Sequence, residues 1–465
     1  MMFRTFTPLE TLKRALGKTK FLTGFTGGIH PPERKEYTRD KGIRQASPPE
    51  RIVIPMIQHT GAPCKPLVKS GDSVKKGQVV GQAEEFITSP VHASISGTVK
   101  EIKEMPHPTA GKSVSIVIES DGKDEWIKPV MARHDVSHLK KQDITDIIKQ
   151  NGIVGLGGAA FPSHVKLMPR RKTIDTVILN GAECEPYLTC DERIMIERPR
   201  DMIKGLLLIM TAVDAGLAFI AIESNKPEAI EAVRNSLKNF KAEESGGKDI
   251  KLKVLPVKYP QGSEKQLIET ILKRRVPPKG LPLDVGCVVY NAGTAVAIFE
   301  AVYSGKPLIE RCVTITGDCL REPMNLNVRI GTLVKDIINE CGGIIRDISK
   351  ALVGGPMMGI AQCTMDIPVI KGMTGILFLS DDEARIFDEE TCIRCARCVD
   401  ACPMNLLPLS YAKLVKKEKF DALKNYNIED CMECGACAYV CPSRIPLVQY
   451  IKAGKRELFY GKEKA

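Results

Sequence analysis

The sequence lacks the features that would tie it to nucleic acid, to a membrane span or to an export route. Its 465 residues carry one Trp, and aromatic residues make up only 5%. Lys and Arg are scattered, with no arginine-rich run and no basic strip interleaved with aromatics, so nucleic-acid binding is not expected. The formal charge of +11 reads instead as a solvated basic surface, suited to an acidic protein or to anionic lipid. The opening MMFRTFTPLETLKRALGKTK has no apolar core of signal length. A reducing cytoplasm is therefore expected, where disulfides do not persist. One run, GLLLIMTAVDAGLAFIAI at 205–222, has about the minimum length for a bilayer span. Asp214 lies in its middle, however, and a buried helix ending at Gly216, followed by a buried strand at 217–222, accounts for it without charge in lipid. No span is predicted. His30, His59, His92 and His164 have no metal-ligand spacing and are assigned no role.

Cysteine is what the chain has in plenty, and eight of its 16 cysteines form two copies of one pattern. Cys392, Cys395, Cys398 and Cys402-Pro403 make the first; Cys431, Cys434, Cys437 and Cys441-Pro442 the second. Each is C-x2-C-x2-C-x3-C-P, the run that holds [4Fe–4S] clusters in bacterial two-cluster ferredoxins. Soft thiolates suit iron–sulfur cubes, and in that pattern the fourth cysteine of each run ligates the other cube. Cluster 1 is thus expected on Cys392, Cys395, Cys398 and Cys441, and cluster 2 on Cys431, Cys434, Cys437 and Cys402. Zinc is the bland alternative, but zinc sites pair C-x2-C motifs across a loop rather than run three cysteines together. The remaining cysteines, Cys64, Cys184, Cys190, Cys287, Cys312, Cys319, Cys341 and Cys363, read as small buried apolar residues.

The length exceeds one hydrophobic core and predicts about three or four domains. Residues 1–45, rich in Gly, Pro and charge, read as an N-terminal arm. From 46 to 130 short apolar runs alternate with Gly-centred turns, around Gly71, Gly77 and Gly97. The two halves resemble a biotinyl/lipoyl-type barrel-sandwich hybrid. Its hairpin, 83–88, carries no acceptor Lys, so a docking or structural role is expected. From 131 to 308 helical and strand patterns alternate as in a parallel α/β domain. Strands are predicted at 176–179, 217–222 and 250–257, and helices at 193–210, 227–240 and 263–273, with a helix face marked by Ile144, Ile147 and Ile148. The loop 241–249 reads as surface. Residues 309–380 suggest a β-grasp-like (SLBB-type) unit, and 381–465 a helical ferredoxin-like domain around the clusters.

Gly155-Leu156-Gly157-Gly158-Ala159-Ala160 matches G-x-G-x-x-A, yet a helix precedes it and Pro162 follows, so the strand–loop–helix order of a dinucleotide fingerprint is missing. Glycines still permit close backbone approach to a phosphate, and a nearby Lys supplies charge. The longer string Val154–Lys166, followed by Asn180-Gly181-Ala182-Glu183-Cys184-Glu185-Pro186, resembles the flavin-binding subunit of respiratory complex I. The resemblance implies an FMN set of Gly155, Gly157, Gly158, Lys166 and Asn180, and a nicotinamide side of Phe161, Glu183 and Glu185. Two further strings match more loosely and add Gly262, Glu264, Asn291 and Thr294. Leu156, Ala182 and Ser263 stand where that family has Arg, Asp and Glu.

The domain order, with the lead-in Gly27-Gly28-Ile29-His30-Pro31-Pro32, resembles the RnfC family of the Rnf (Rsx) electron-transport complex along nearly the full length. Its end at Ala465 suggests the form without a long repeat tail. That resemblance implies a peripheral protein on the cytoplasmic face of the membrane, partnered by iron–sulfur and integral membrane subunits. The family's complex couples ferredoxin:NAD⁺ oxidoreduction to ion translocation. Expected cofactors are FMN and two [4Fe–4S] clusters, with NAD(H) as substrate, ferredoxin reached through a partner subunit, and hydride transfer carried by FMN rather than a catalytic side chain. Two alternatives stay open: a related flavin/iron–sulfur reductase such as cobalamin reductase, and a non-catalytic iron–sulfur relay.

Overall fold

The computed structural model describes residues 24–128, 135–168, 172–240, 246–385 and 387–460. The first 23 residues of the N-terminal arm, and 241–245 of the polar loop, lie outside the described residues. Among the described residues no helix is long and apolar enough to cross a membrane.

Two antiparallel sheets form the barrel-sandwich part. One orders Arg51–Pro55, Gly111–Ser120, Gly97–His107 and Ser73–Val74; the other orders Lys65–Pro66, Val79–Gln82 and Val91–His92. Alternation sends Ile52 and Ile54 into a core with Val74, Val80, Ile116 and Ile118. Val53, on the opposite face, packs with Val117 against Leu333 of the β-grasp-like unit. The lysine-free hairpin leaves Phe86 and Ile87 exposed.

The central sheet is wholly parallel, in the order Asp249–Leu255, Leu217–Glu223, Thr176–Gly181, Cys287–Asn291. Strands Thr176–Gly181, Leu217–Glu223 and Cys287–Asn291 are largely buried and read as near-continuous apolar runs for that reason, whereas the edge strand Asp249–Leu255 alternates and is largely exposed. Val177 and Leu179 join the larger core with helices Pro199–Val213 and Ala292–Ser304. Ile178, pointing the other way, packs with Leu267 and Ile268 of helix Glu264–Leu272. The predicted strands and helices are present with ends shifted by at most two residues, with two exceptions. The helix expected over 193–210 is two helices, Cys190–Glu197 and Pro199–Val213, because Pro199 has no N–H to continue the first and sits at the start of the second. Strand Cys287–Asn291 is additional to those expected; its signal is the β-branched run after Gly286. The membrane-like run is a helix ending at Val213 and a strand from Leu217, and Asp214 rather than Gly takes the left-handed turn (φ 60°).

A mixed six-stranded sheet forms the β-grasp-like unit: Ile43–Gln45, Met324–Arg329, Glu310–Thr316, Gly375–Leu379, Lys350–Val353, Ile360–Gln362. Its edge strand comes from the N-terminal lead-in, with Ile43 opposite Asn325 and Gln45 opposite Asn327. The last part is helical, with Tyr411, Leu423, Ile428 and Ile451 at its core.

Where helix Pro199–Val213 crosses Ala292–Ser304, a Cβ at Gly205 would lie 1.9 Å from the Ala295 carbonyl oxygen. Gly205→Ala should therefore lower the unfolding midpoint of the whole chain. The overpacking should cost about 1–3 kcal/mol and outweigh the gain in helix propensity of about 1 kcal/mol. A thermal melt showing no destabilisation would contradict this packing.

Candidate functional site: a glycine loop at the sheet's switch point and two cysteine sets

In the central sheet the chain runs outward from Thr176–Gly181 through two strands, then returns to Cys287–Asn291 on its other side. The strand order reverses between these two neighbours, and it is beyond the carboxyl ends of the strands at such a point that open parallel sheets bind ligands. Asn180 and Asn291 are register partners at that point. The glycine loop closes over it, with an isolated bridge between Val154 and Pro162 and the Gly155 N–H donating to the Phe161 carbonyl at 2.8 Å. Gly157 comes so near Asn291 that an added Cβ would lie 3.4 Å from the Asn291 Cβ. Gly158 has φ +106°, and a Cβ there would meet nothing within 4 Å. It faces open space.

The residues around this mouth hold one another. Asn180 Nδ2 donates to the Gly262 carbonyl at 2.7 Å, and its Oδ1 accepts from Ala182 N at 3.1 Å. Asn291 caps helix Ala292–Ser304 by accepting from Thr294 N at 3.2 Å, while its Nδ2 donates to Asp191 at 2.6 Å. Thr294 Oγ1 in turn accepts the Leu156 N–H at 2.8 Å. Lys166 donates to Glu264 and to the Val289 carbonyl, and its ammonium lies 5.2 Å from the Tyr290 ring centroid. Ten of the expected flavin and nicotinamide residues thus gather here: Gly155, Gly157, Gly158, Phe161, Lys166, Asn180, Gly262, Glu264, Asn291 and Thr294.

Glu183 and Glu185 are placed differently. The Glu183 side chain is 4% exposed. Its carboxylate accepts the N–H groups of Asp191 (2.7 Å) and Glu192 (3.1 Å) at the start of helix Cys190–Glu197, where the helix dipole favours an anion. Glu185 accepts from Met357 N at 3.2 Å and Met358 N at 2.9 Å, in the β-grasp-like unit, and burial pushes its carboxyl up to about 7. Both carboxylates meet backbone amides, because a buried carboxylate without partners is costly. The loop between them is pinned from below by Lys35, whose Nζ donates to the carbonyls of Glu183 (3.0 Å), Glu185 (3.2 Å) and Leu188. Nothing in the pattern around Lys35 announces this role. Cys184 and Cys312 are half-buried rather than buried as expected, and Cys184 Sγ accepts the Gly262 N–H at 3.3 Å. Cys363, in contrast, is exposed, since its strand neighbours lie at the edge of the six-stranded sheet.

A separate polar cavity of about 230 Å³, lined by His30, Glu33, Lys35, Glu223 and Lys258 among others, contains none of the residues expected to hold flavin.

The two cysteine runs share one backbone path. Arg394 and Glu433 are left-handed (φ 58° and 59°), as are Ala396 and Gly435 (62° and 82°). In each run the residue two after the first cysteine donates its N–H to that sulfur, Arg394 to Cys392 and Glu433 to Cys431, both at 3.4 Å. Leu406 N donates to Cys402 Sγ at 3.3 Å. Such N–H bonds to sulfur are the kind that tune iron–sulfur centres. Cys402, Cys431, Cys434 and Cys437 line a single apolar cavity with Tyr411 and Ile451. These thiols surround a volume rather than a point: among the described residues no three His, Cys, Asp or Glu side chains are grouped to hold one metal ion. Burial, with the nearby thiols of Cys431 and Cys402 adding to it, pushes Cys434 up to about 12. As thiolates these four would require positive charge among them, which the irons of a cluster would supply. Cys398 likewise feels Cys441 and Cys395. Around the apolar cavity Cys402 joins Cys431, Cys434 and Cys437, a donor set that fits one cubane cluster.

The second set lies against the switch-point mouth. Tyr259 OH donates to the Cys434 carbonyl at 2.7 Å, three residues before Gly262. Gln266 donates to the Pro403 carbonyl at 3.1 Å, and Gly28 N to the Ala401 carbonyl at 2.9 Å. The first set faces outward, with Cys395 exposed and Ile393 68% exposed.

Comparison with known proteins agrees with this layout. Residues 23–123 match the family model of the RnfC barrel sandwich hybrid domain, 148–300 the Nuo51 FMN-binding domain, 312–361 the SLBB domain and 391–445 a 4Fe-4S dicluster domain. The chain is 47% identical to the C component of the proton-translocating ferredoxin:NAD(+) oxidoreductase complex of Clostridium ljungdahlii, over 88% of each protein. It is 44% identical to the C component of the Na(+)-translocating complex of Acetobacterium woodii, over 87% of this chain and 90% of that one. Against the C component of the ion-translocating oxidoreductase complex of Rhodobacter capsulatus the identity is 42%, over 82% and 73%. A solved NAD+-reducing [NiFe]-hydrogenase shares the fold, with a TM-score of 0.50 at 17% identity, over 70% of this chain and 63% of that one. With such identity over most of both chains, this protein belongs to the RnfC family, the C components of ion-translocating ferredoxin:NAD(+) oxidoreductase complexes.

Proposed function

We propose that the chain is the NAD(H)-facing electron-transfer component of a membrane complex of this kind, bound peripherally on the cytoplasmic face through other subunits. The observation that carries the reading is the unbroken contact from the switch-point mouth, through the loop Tyr259–Gly262, to the cavity lined by Cys402, Cys431, Cys434 and Cys437. A flavin bound at the mouth exchanges a hydride with NAD(H) and single electrons with the cubane clusters, so the site joins two-electron to one-electron chemistry.

The side chains have separable tasks in this reading. Gly155, Gly157 and Gly158 let the backbone approach the flavin phosphate. Lys166, held in place by Glu264, supplies positive charge at the mouth. Asn180, Gly262, Asn291 and Thr294 shape its floor, and Phe161 stands on the nicotinamide side. Glu183 and Glu185 serve that side through the loop they anchor. Cluster 2, on Cys431, Cys434, Cys437 and Cys402, lies next to the mouth. Cluster 1, on Cys392, Cys395, Cys398 and Cys441, lies at the surface, where a partner protein exchanges electrons.

Anaerobically purified protein should contain about eight irons and one FMN per chain, and NADH should bleach the visible absorbance. Iron without flavin, with no response to NADH, would favour a plain relay; four irons or a zinc signal would refute the cluster assignment. Exchanging Cys402 for Ser should perturb the EPR signal of the cluster held by Cys431, Cys434 and Cys437, leaving the one beside it in sequence intact. Loss of the other cluster instead would overturn the crossed ligation.

A further inference from the structure

The glycine loop is braced from behind by two other parts of the chain. Arg311, on strand Glu310–Thr316 of the β-grasp-like unit, is 4% exposed. Its guanidinium forms hydrogen bonds with three carbonyls: Cys312 (3.3 Å), Lys371, and Leu156 of the loop (3.0 Å). From the barrel-sandwich part, Thr60 donates its hydroxyl to the Ala159 carbonyl at 2.7 Å and its N–H to the Ala160 carbonyl at 3.2 Å. Gly372 closes the same side, where an added Cβ would lie 3.3 Å from the Gly158 carbonyl oxygen and 3.1 Å from the Ala160 Cβ.

In a trans peptide the C=O and the following N–H point in opposite directions. Carbonyls of Leu156, Gly158, Ala159 and Ala160 drawn backward therefore turn the N–H groups of Gly157, Ala159, Ala160 and Phe161 away from these braces. Successive N–H groups presented by a turn make a concave anion site, and Gly158 has open space before it. Burying a guanidinium is expensive unless its donors are used, and here one of them is spent on the Leu156 carbonyl.

We propose that Arg311 and Thr60 are positioning residues that hold the loop as an amide cradle for the phosphate of the flavin, so that the site selects phosphorylated flavin over riboflavin. This rests on the flavin reading of the mouth. The part of the chain that binds flavin would then depend on both neighbouring domains for its anion selectivity.

The test uses the full chain with its clusters, stripped of flavin, and titrates FMN and riboflavin separately by quenching of flavin fluorescence. Losing a hydrogen bond from a charged donor corresponds to about tenfold in affinity. Arg311→Gln should therefore weaken FMN about tenfold with riboflavin little changed, at unaltered iron content, and Arg311→Lys should restore part of the preference. Thr60→Val should lower the same FMN-to-riboflavin ratio through an independent contact, and it decides the matter if Arg311→Gln does not fold. An unchanged ratio, or equal loss of both flavins, would overturn the proposal. Unmodified protein that binds neither flavin would sink the flavin reading itself.

Discussion

Everything in this protein is arranged around one topological constraint, the reversal of strand order in a parallel sheet. Parallel strands need crossover helices, and those helices cover both faces of the sheet. The strands' carboxyl ends are what remains open, and the strand order reverses between Thr176–Gly181 and Cys287–Asn291. Asn180 and Asn291 meet there. The glycine loop, the Tyr259–Gly262 segment and the second cysteine set all approach that point from different parts of the chain.

The approach is held by buried polar groups whose partners are mostly backbone. Lys35 donates to three carbonyls, Glu183 and Glu185 each accept from two amides, and Lys371 donates to the Pro90 and Gly152 carbonyls at 2.8 and 2.7 Å. Burial pulls the Lys371 ammonium down to about 7. Each of these groups joins segments far apart in sequence, and an unmet donor or acceptor in such a place is costly. A small displacement of the β-grasp-like unit or of the lead-in would leave several unmet at once. The relative placement of flavin mouth and clusters is therefore set by hydrogen bonding as well as by apolar packing.

Much of this is legible in the sequence, and unevenly so. The cysteine runs announce the dicluster type, because ligation of a cube by a short segment leaves a strict spacing. Helices with clear apolar faces stand out, and the break between Cys190–Glu197 and Pro199–Val213 is signalled by Pro199, although the apolar stripe continues across it. Strand Cys287–Asn291 is short and lies directly before a helix of equally apolar character, so no change of period marks the boundary. The contribution of the lead-in, edge strand Ile43–Gln45 and buried Lys35, is invisible in a polar stretch rich in proline and glycine.

By itself, then, the sequence determined local patterns: the repeated thiol spacing of a dicluster segment, the glycine-rich loop, and the segments that alternate as strand and helix. Those properties depend on residue type and spacing over a few positions. The tertiary structure alone decided that Glu183 and Glu185 anchor loops, that Arg311 and Thr60 brace the glycine loop, and that the cysteine set of Cys434 is the one beside the flavin mouth. These depend on contacts between residues up to hundreds of positions apart, such as Tyr259 with Cys434. No spacing in the chain encodes a contact that only packing creates.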